Sequence, residues 1–182
     1  MKESPDILNN QALEFASKGE YKEAIACFQR AIEIERFNYM LWYNLGITYR
    51  DSGQMQAAKE ALEQAYKIND TDQDVLETLA LVNFNLGDYE EALRCCNEGL
   101  LFGVTNARLW NMAGVIYFNT NKYDLACEAF EHAVTINPYY YDALYNLRDT
   151  YDELGNEAGK LQCIEQMKNL SPSQSGGFVP YA

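Results

Sequence analysis

Apolar positions along this chain fall into two alternating helical stripes. Between Ala107 and Pro138, Trp110, Ala113, Gly114 and Tyr117 are spaced by three, one and three residues, which puts them on one face of a helix. The polar run Asn119-Thr120-Asn121-Lys122 interrupts that face. Tyr123, Ala126, Phe130 and Ala133 then mark one face of a second helix, and Asn137-Pro138 stops it, because proline lacks the amide donor and restricts the residue before it. The same marks recur. Trp42, Leu45, Gly46 and Tyr49 stand two periods upstream, and Ala24, Ala58, Ala92 and Ala126 follow each other at intervals of 34. Gly19, Gly53, Gly87 and Gly155, with Asn121 at the fourth site, fall between the paired helices and suit the left-handed conformation that closes a helix. Five helical hairpins are therefore predicted, beginning at Pro5, Tyr39, Gln73, Ala107 and Tyr141 and staying in register through Gln174.

The order Trp, Leu-Gly, Tyr, Ala, Phe, Ala, Pro within a 34-residue period resembles the tetratricopeptide repeat. The resemblance runs through all five units. It implies an all-α fold, a right-handed α-α superhelix (solenoid) of five helix-turn-helix units and ten helices. It also implies a single domain over residues 1–172, with repeats 5–38, 39–72, 73–106, 107–140 and 141–174, and a flexible C-terminal tail over 173–182. Each hairpin in such an array buries its apolar face only against its neighbours.

Local features refine this. Ser4-Pro5-Asp6 reads as a helix start with a capping hydroxyl, and Asn38 and Asp72 read as caps of the next two first helices. Repeat five departs most, with Arg148 and Lys160 at the two small-residue positions where paired helices touch. Overpacking there costs roughly 1–3 kcal/mol, so the hairpin is expected to splay or its cationic stems to run outward to water. The tail ends in Phe178, Val179, Pro180 and Tyr181, and two readings stay open: a disordered terminus, or an apolar tip that docks.

Composition narrows the function. The formal net charge of −13 argues against nucleic acid, whose binding relies on Lys and Arg, and against an anionic membrane surface. No stretch has the apolar length of a membrane span. The five cysteines lack secreted-domain spacing; Cys27, Cys95 and Cys163 share one repeat position and read as reduced, half-buried thiols, which points to the cytoplasm. The single histidine, His132, falls by periodicity on a solvated face with no nucleophile beside it. No phosphate loop, nucleotide fingerprint or serine elbow occurs. The expectation is no catalytic residue, no metal and no cofactor: not an enzyme.

What the resemblance implies instead is a surface. First helices of such arrays line a concave groove that binds peptides or helices. Repeat two supplies Met40, Tyr43, Asn44, Ile47 and Arg50, and repeat three Glu77, Leu81 and Phe84. Repeat four supplies Arg108, Asn111, Met112 and Phe118, and repeat five Tyr145 and Asn146. Ile47, Leu81, Phe84, Val115 and Phe118 form an apolar stripe, either exposed to a partner or packed between adjacent first helices. The amides of Asn44, Asn111 and Asn146 offer both donors and acceptors to a peptide backbone. Repeat five is rich in carboxylates, so the expected partner is another protein with an apolar anchor and a basic flank. The two-carboxylate clamp of chaperone-binding family members is disfavoured, since only Asn44 of its five positions matches. The alternative is a self-assembly module forming homo-oligomers through repeat five or the tail.

Overall fold

Among residues 4–170, which the computed structural model describes, every regular element is an α-helix. In chain order these are α1 (Pro5–Ser17), α2 (Tyr21–Ile34), α3 (Tyr39–Asp51), α4 (Met55–Ile68) and α5 (Gln73–Asn85). They continue as α6 (Tyr89–Phe102), α7 (Ala107–Asn119), α8 (Tyr123–Ile136), α9 (Tyr141–Glu153) and α10 (Glu157–Asn169). The odd-numbered helices begin at the five residues that the periodicity marks as repeat starts. The all-α solenoid class expected from the sequence is the one observed. The apolar tip Phe178–Tyr181 and the tail 173–182 lie outside the described residues.

Helix boundaries follow from local chemistry. Gly19, Gly53, Gly87 and Gly155 have φ between +68° and +80°, and Asn121 stands at +58°. These turns need the left-handed region, open to glycine and tolerated by asparagine. Asn38 accepts the Met40 amide at 3.2 Å, and one Asp72 oxygen accepts the amides of Asp74 and Val75, so both predicted caps form. The predicted Ser4 cap does not. Its hydroxyl makes no capping bond, and its carbonyl accepts Leu8 N at 3.1 Å instead. Pro5 already removes one of the amides that a cap would serve. Trp42 and Trp110 each pin the loop before their helix: the indole N–H donates to Arg36 O and to Val104 O, both at 2.8 Å.

The chain divides into two compact units, Met1–Gly99 and Leu100–Ala182. In the first, Leu8, Ala12, Phe28, Ala31, Ile32, Leu41, Leu45 and Ala61 form one core, with Ile25, Trp42 and Tyr49 packed on it. One core thus spans α1 to α4. A Cβ at Gly46 would stand 2.6 Å from Leu62 Cγ, so the missing side chain is what lets α3 and α4 close. Polar ties join later helices: Tyr39 donates to Asp72 at 3.0 Å, Tyr66 to Glu98 at 2.8 Å, and Lys59 pairs with Asp88 at 3.1 Å. Arg94 bonds Glu91 at 2.9 Å and holds that carboxyl below the usual carboxylate range.

In the second unit, a Cβ at Gly114 would stand 2.5 Å from the Phe130 ring. Tyr151 of α9 reaches back to α8, donating to Glu131 at 2.7 Å. In the last hairpin, Lys160 pairs with Asp152 at 2.6 Å, and Arg148 pairs with Asp149 at 2.8 Å. Lys160 thereby reaches from α10 to α9, and both cationic side chains are half-buried. The cysteines are free thiols. Cys27 is half-buried as expected, whereas Cys95 and Cys163, at the same repeat position, are buried. Burial pushes the Cys95 thiol up to about 12 and that of Cys127 to about 12.

Candidate functional site

The expected groove residues of the first unit sit on α3 and α5. Met40 is 46% exposed, and Tyr43, Asn44, Ile47 and Arg50 are half-buried, as are Glu77, Leu81 and Phe84. Neighbouring first helices are joined by side chains offset by 35 residues: Asn44 Nδ2 donates to Asn9 Oδ1 at 3.2 Å, and the Tyr43 and Thr78 hydroxyls meet at 3.4 Å. Burial pushes the Tyr43 hydroxyl upward. Leu13, Ile47 and Leu81 hold the ninth position on α1, α3 and α5, and none is fully buried. Leu13 is 45% exposed. Phe84 lies against Tyr89 of its own hairpin, with ring centroids 5.5 Å apart. Arg50 pairs with its neighbour Asp51 at 2.8 Å.

The second unit carries the rest on α7 and α9. Arg108 is exposed, and Phe118, Tyr145 and Asn146 are half-buried. Asn111, Met112 and Val115 are buried, so the apolar stripe does not continue as open surface along α7. Asn146 Nδ2 donates to Asn111 Oδ1 at 3.1 Å, again at an offset of 35. Phe118 meets Tyr123 edge-on at 5.2 Å. The Arg148 guanidinium lies 3.9 Å from the Tyr145 ring centroid, a distance at which a cation and an aromatic face attract. Asp142 is different: its Oδ1 is buried with no hydrogen-bond partner, and burial raises its carboxyl above the ordinary value.

Profiles of the tetratricopeptide repeat match residues 5–38, 27–60, 49–116 and 107–140. The chain belongs to the tetratricopeptide repeat family. Proteins of this family mediate protein–protein interactions. Among curated relatives, the BBSome complex member BBS4 of Bos taurus is 27% identical over 158 residues, which cover 87% of this chain and 30% of that protein. The peroxisomal targeting signal receptor of Saccharomyces cerevisiae is 23% identical over 137 residues, 74% of this chain and 22% of its own length. This tetratricopeptide chain thus spans under a third of either.

Solved structures share its fold. MamA residues 41 to the end, from Desulfovibrio magneticus RS-1, superposes with a TM-score of 0.84 at 17% identity, covering 97% of this chain and 99% of that one. YrrB, a tetratricopeptide protein with an unusual peptide-binding site, gives 0.72 at 22% identity over 91% and 85% of the two chains.

Some features of this tetratricopeptide array were not read from the sequence. Tyr49 accepts the Gln29 amide at 3.1 Å, and Tyr151 uses its hydroxyl on the equivalent residue Glu131. The eleventh-position tyrosine therefore bolts one repeat to the one before it. Its recurrence at Tyr49, Tyr117 and Tyr151 was the available signal. His132 is exposed as expected, but it stacks on Trp110 with centroids 4.4 Å apart. These two residues are 22 apart, at unrelated repeat positions, and periodicity carries no hint of the pairing.

Proposed function

We propose that this chain is a non-catalytic interaction scaffold that holds a peptide or helix of a partner protein on the face of its first helices. The observation that carries this reading is the run of incompletely buried apolar side chains at one repeat position, Leu13, Ile47 and Leu81, with Met40 beside them. Successive helices stack about 8–10 Å apart, so the run offers evenly spaced contacts to an apolar segment. Incompletely buried apolar surface of this kind marks partner sites. Exposed carboxylates on the same helices, Asp51 of α3 and Asp74 of α5, give a Lys or Arg of the partner a counter-charge. YrrB's peptide-binding site and the receptor role of the yeast relative support the reading. The buried thiol of Cys95, pushed upward by desolvation, supports a non-catalytic role.

Selection of phage-displayed peptides on the chain, followed by affinity measurement, tests this. Enriched peptides are expected to combine a bulky apolar residue with Lys or Arg. The double variant Leu13→Glu, Ile47→Glu should bind them at least about tenfold more weakly, or about 1.4 kcal/mol, with an unchanged melting temperature. Equal affinity in a variant that is still folded would refute the assignment.

A further inference from the structure

The turns that join one repeat to the next differ between the two units in what they show to water. In the first unit, Glu33, Glu35 and Arg36 flank the exposed Phe37, and Lys67, Asp70 and Asp72 flank Ile68. In the second unit, residues 100–107 and 132–141, which hold the α6–α7 and α8–α9 turns, contain no Asp, Glu, Lys or Arg. They carry Leu101, Phe102, Val104 and Tyr139 at 81%, 53%, 66% and 63% exposure. Charge resumes only at Arg108 and Asp142. Apolar side chains bared together, rather than singly, mark an interaction site.

Both turns are tied down. Asn106 N donates to Gly103 O at 3.1 Å, and the Trp110 indole holds Val104 O. Tyr140 N donates to Asn137 O at 3.0 Å, and Tyr139 N to Asn137 Oδ1 at 3.1 Å. Little conformational freedom therefore remains to be lost on docking. The Asn146–Asn111 bond sets α7 and α9 side by side, so the turns that lead into them share one edge. The Trp110–His132 stack links the Val104 turn to the C-terminal half of α8, which runs on into the Tyr139 turn.

We propose that two copies of this chain dimerise through this charge-free edge, the α6–α7 and α8–α9 turns of one against those of the other. Charge decides the occupant. Each copy carries a formal net charge of −13, so carboxylate-bearing faces repel between copies. Here two copies meet without ionised side chains opposed. A strongly charged partner finds no counter-charge on these turns, whereas a second copy supplies the same uncharged apolar surface. The contact is isologous and closes at two copies. It lies apart from Leu13, Ile47 and Leu81 and stands independently of the peptide-binding reading.

Sedimentation velocity on the chain, from low micromolar to several hundred micromolar, tests the proposal. Wild type should show a sedimentation coefficient that climbs with concentration and levels off at the dimer. Leu101→Asp combined with Val104→Asp should stay monomeric, because it adds carboxylates to both sides of the contact. Circular dichroism should show that variant folded, since both side chains face water. Phe37→Asp, at a residue 79% exposed in the first unit, should dimerise like wild type. A wild type that stays monomeric throughout overturns the idea, as does a charged double variant that still dimerises. Association that grows past two copies, or that Phe37→Asp abolishes, overturns it too.

Discussion

The hairpins α7/α8 and α9/α10 belong to the same unit and share a repeat length, yet they close differently. In the first, Gly114 leaves room for the Phe130 ring, and α8 buries Ala126, Ala129, Phe130 and Ala133. In the second, Arg148 and Lys160 replace the small residues, and α10 fully buries Cys163 alone. The ion pairs with Asp149 and Asp152 neutralise these half-buried side chains, Lys160 doing so across the hairpin from α10 to α9. Closure of a hairpin in this array thus depends on two side chains being small enough to let backbones approach. Where they are not, the seam becomes polar and the second helix buries fewer of its residues completely.

The comparison breaks most visibly at the twenty-fourth position. Phe130→Ala should destabilise by about 3–5 kcal/mol, as removal of a buried phenylalanine does. Ile164→Ala, at the same position in α10 and only half-buried, should cost no more than about 2 kcal/mol; urea denaturation measures both. Next in size, Gly114→Val should cost about 1–3 kcal/mol by forcing the Phe130 ring aside. Arg148→Ala combined with Lys160→Ala should stay within about 1 kcal/mol, because partly exposed ion pairs contribute little.

The smallest effect is with pH. Burial raises the thiols of both Cys127 and Cys163, the former to about 12, whereas thiols of an unfolded chain ionise near 8.5. Above that value the unfolded state binds fewer protons than the folded one, so stability falls as pH climbs from about 9 toward 12. Melting temperatures at pH 8 and 10.5 should fall less in the double variant Cys127→Ala, Cys163→Ala than in wild type.

Repeat length, helix starts, left-handed turn residues and two of the three named caps were legible because each depends on residues close in sequence. The side-chain partners between helices were less so. Asn44 with Asn9 and Asn146 with Asn111 pair at one period plus one residue, an offset set by how neighbouring first helices slide past each other. Amides expected to face a peptide are thereby bonded to one another, and Asn111 is buried. Phe84 and Phe118 were expected on the apolar stripe; their contacts with Tyr89 and Tyr123 come from the turn geometry that brings positions twelve and seventeen together.

The two tryptophans of this chain have a practical corollary. One indole anchors a loop in each compact unit, and no third is present to blur the signal. Replacing either with phenylalanine leaves a chromophore that reports the melting of one half by its emission, so the cooperativity of the whole array can be read optically without an added label.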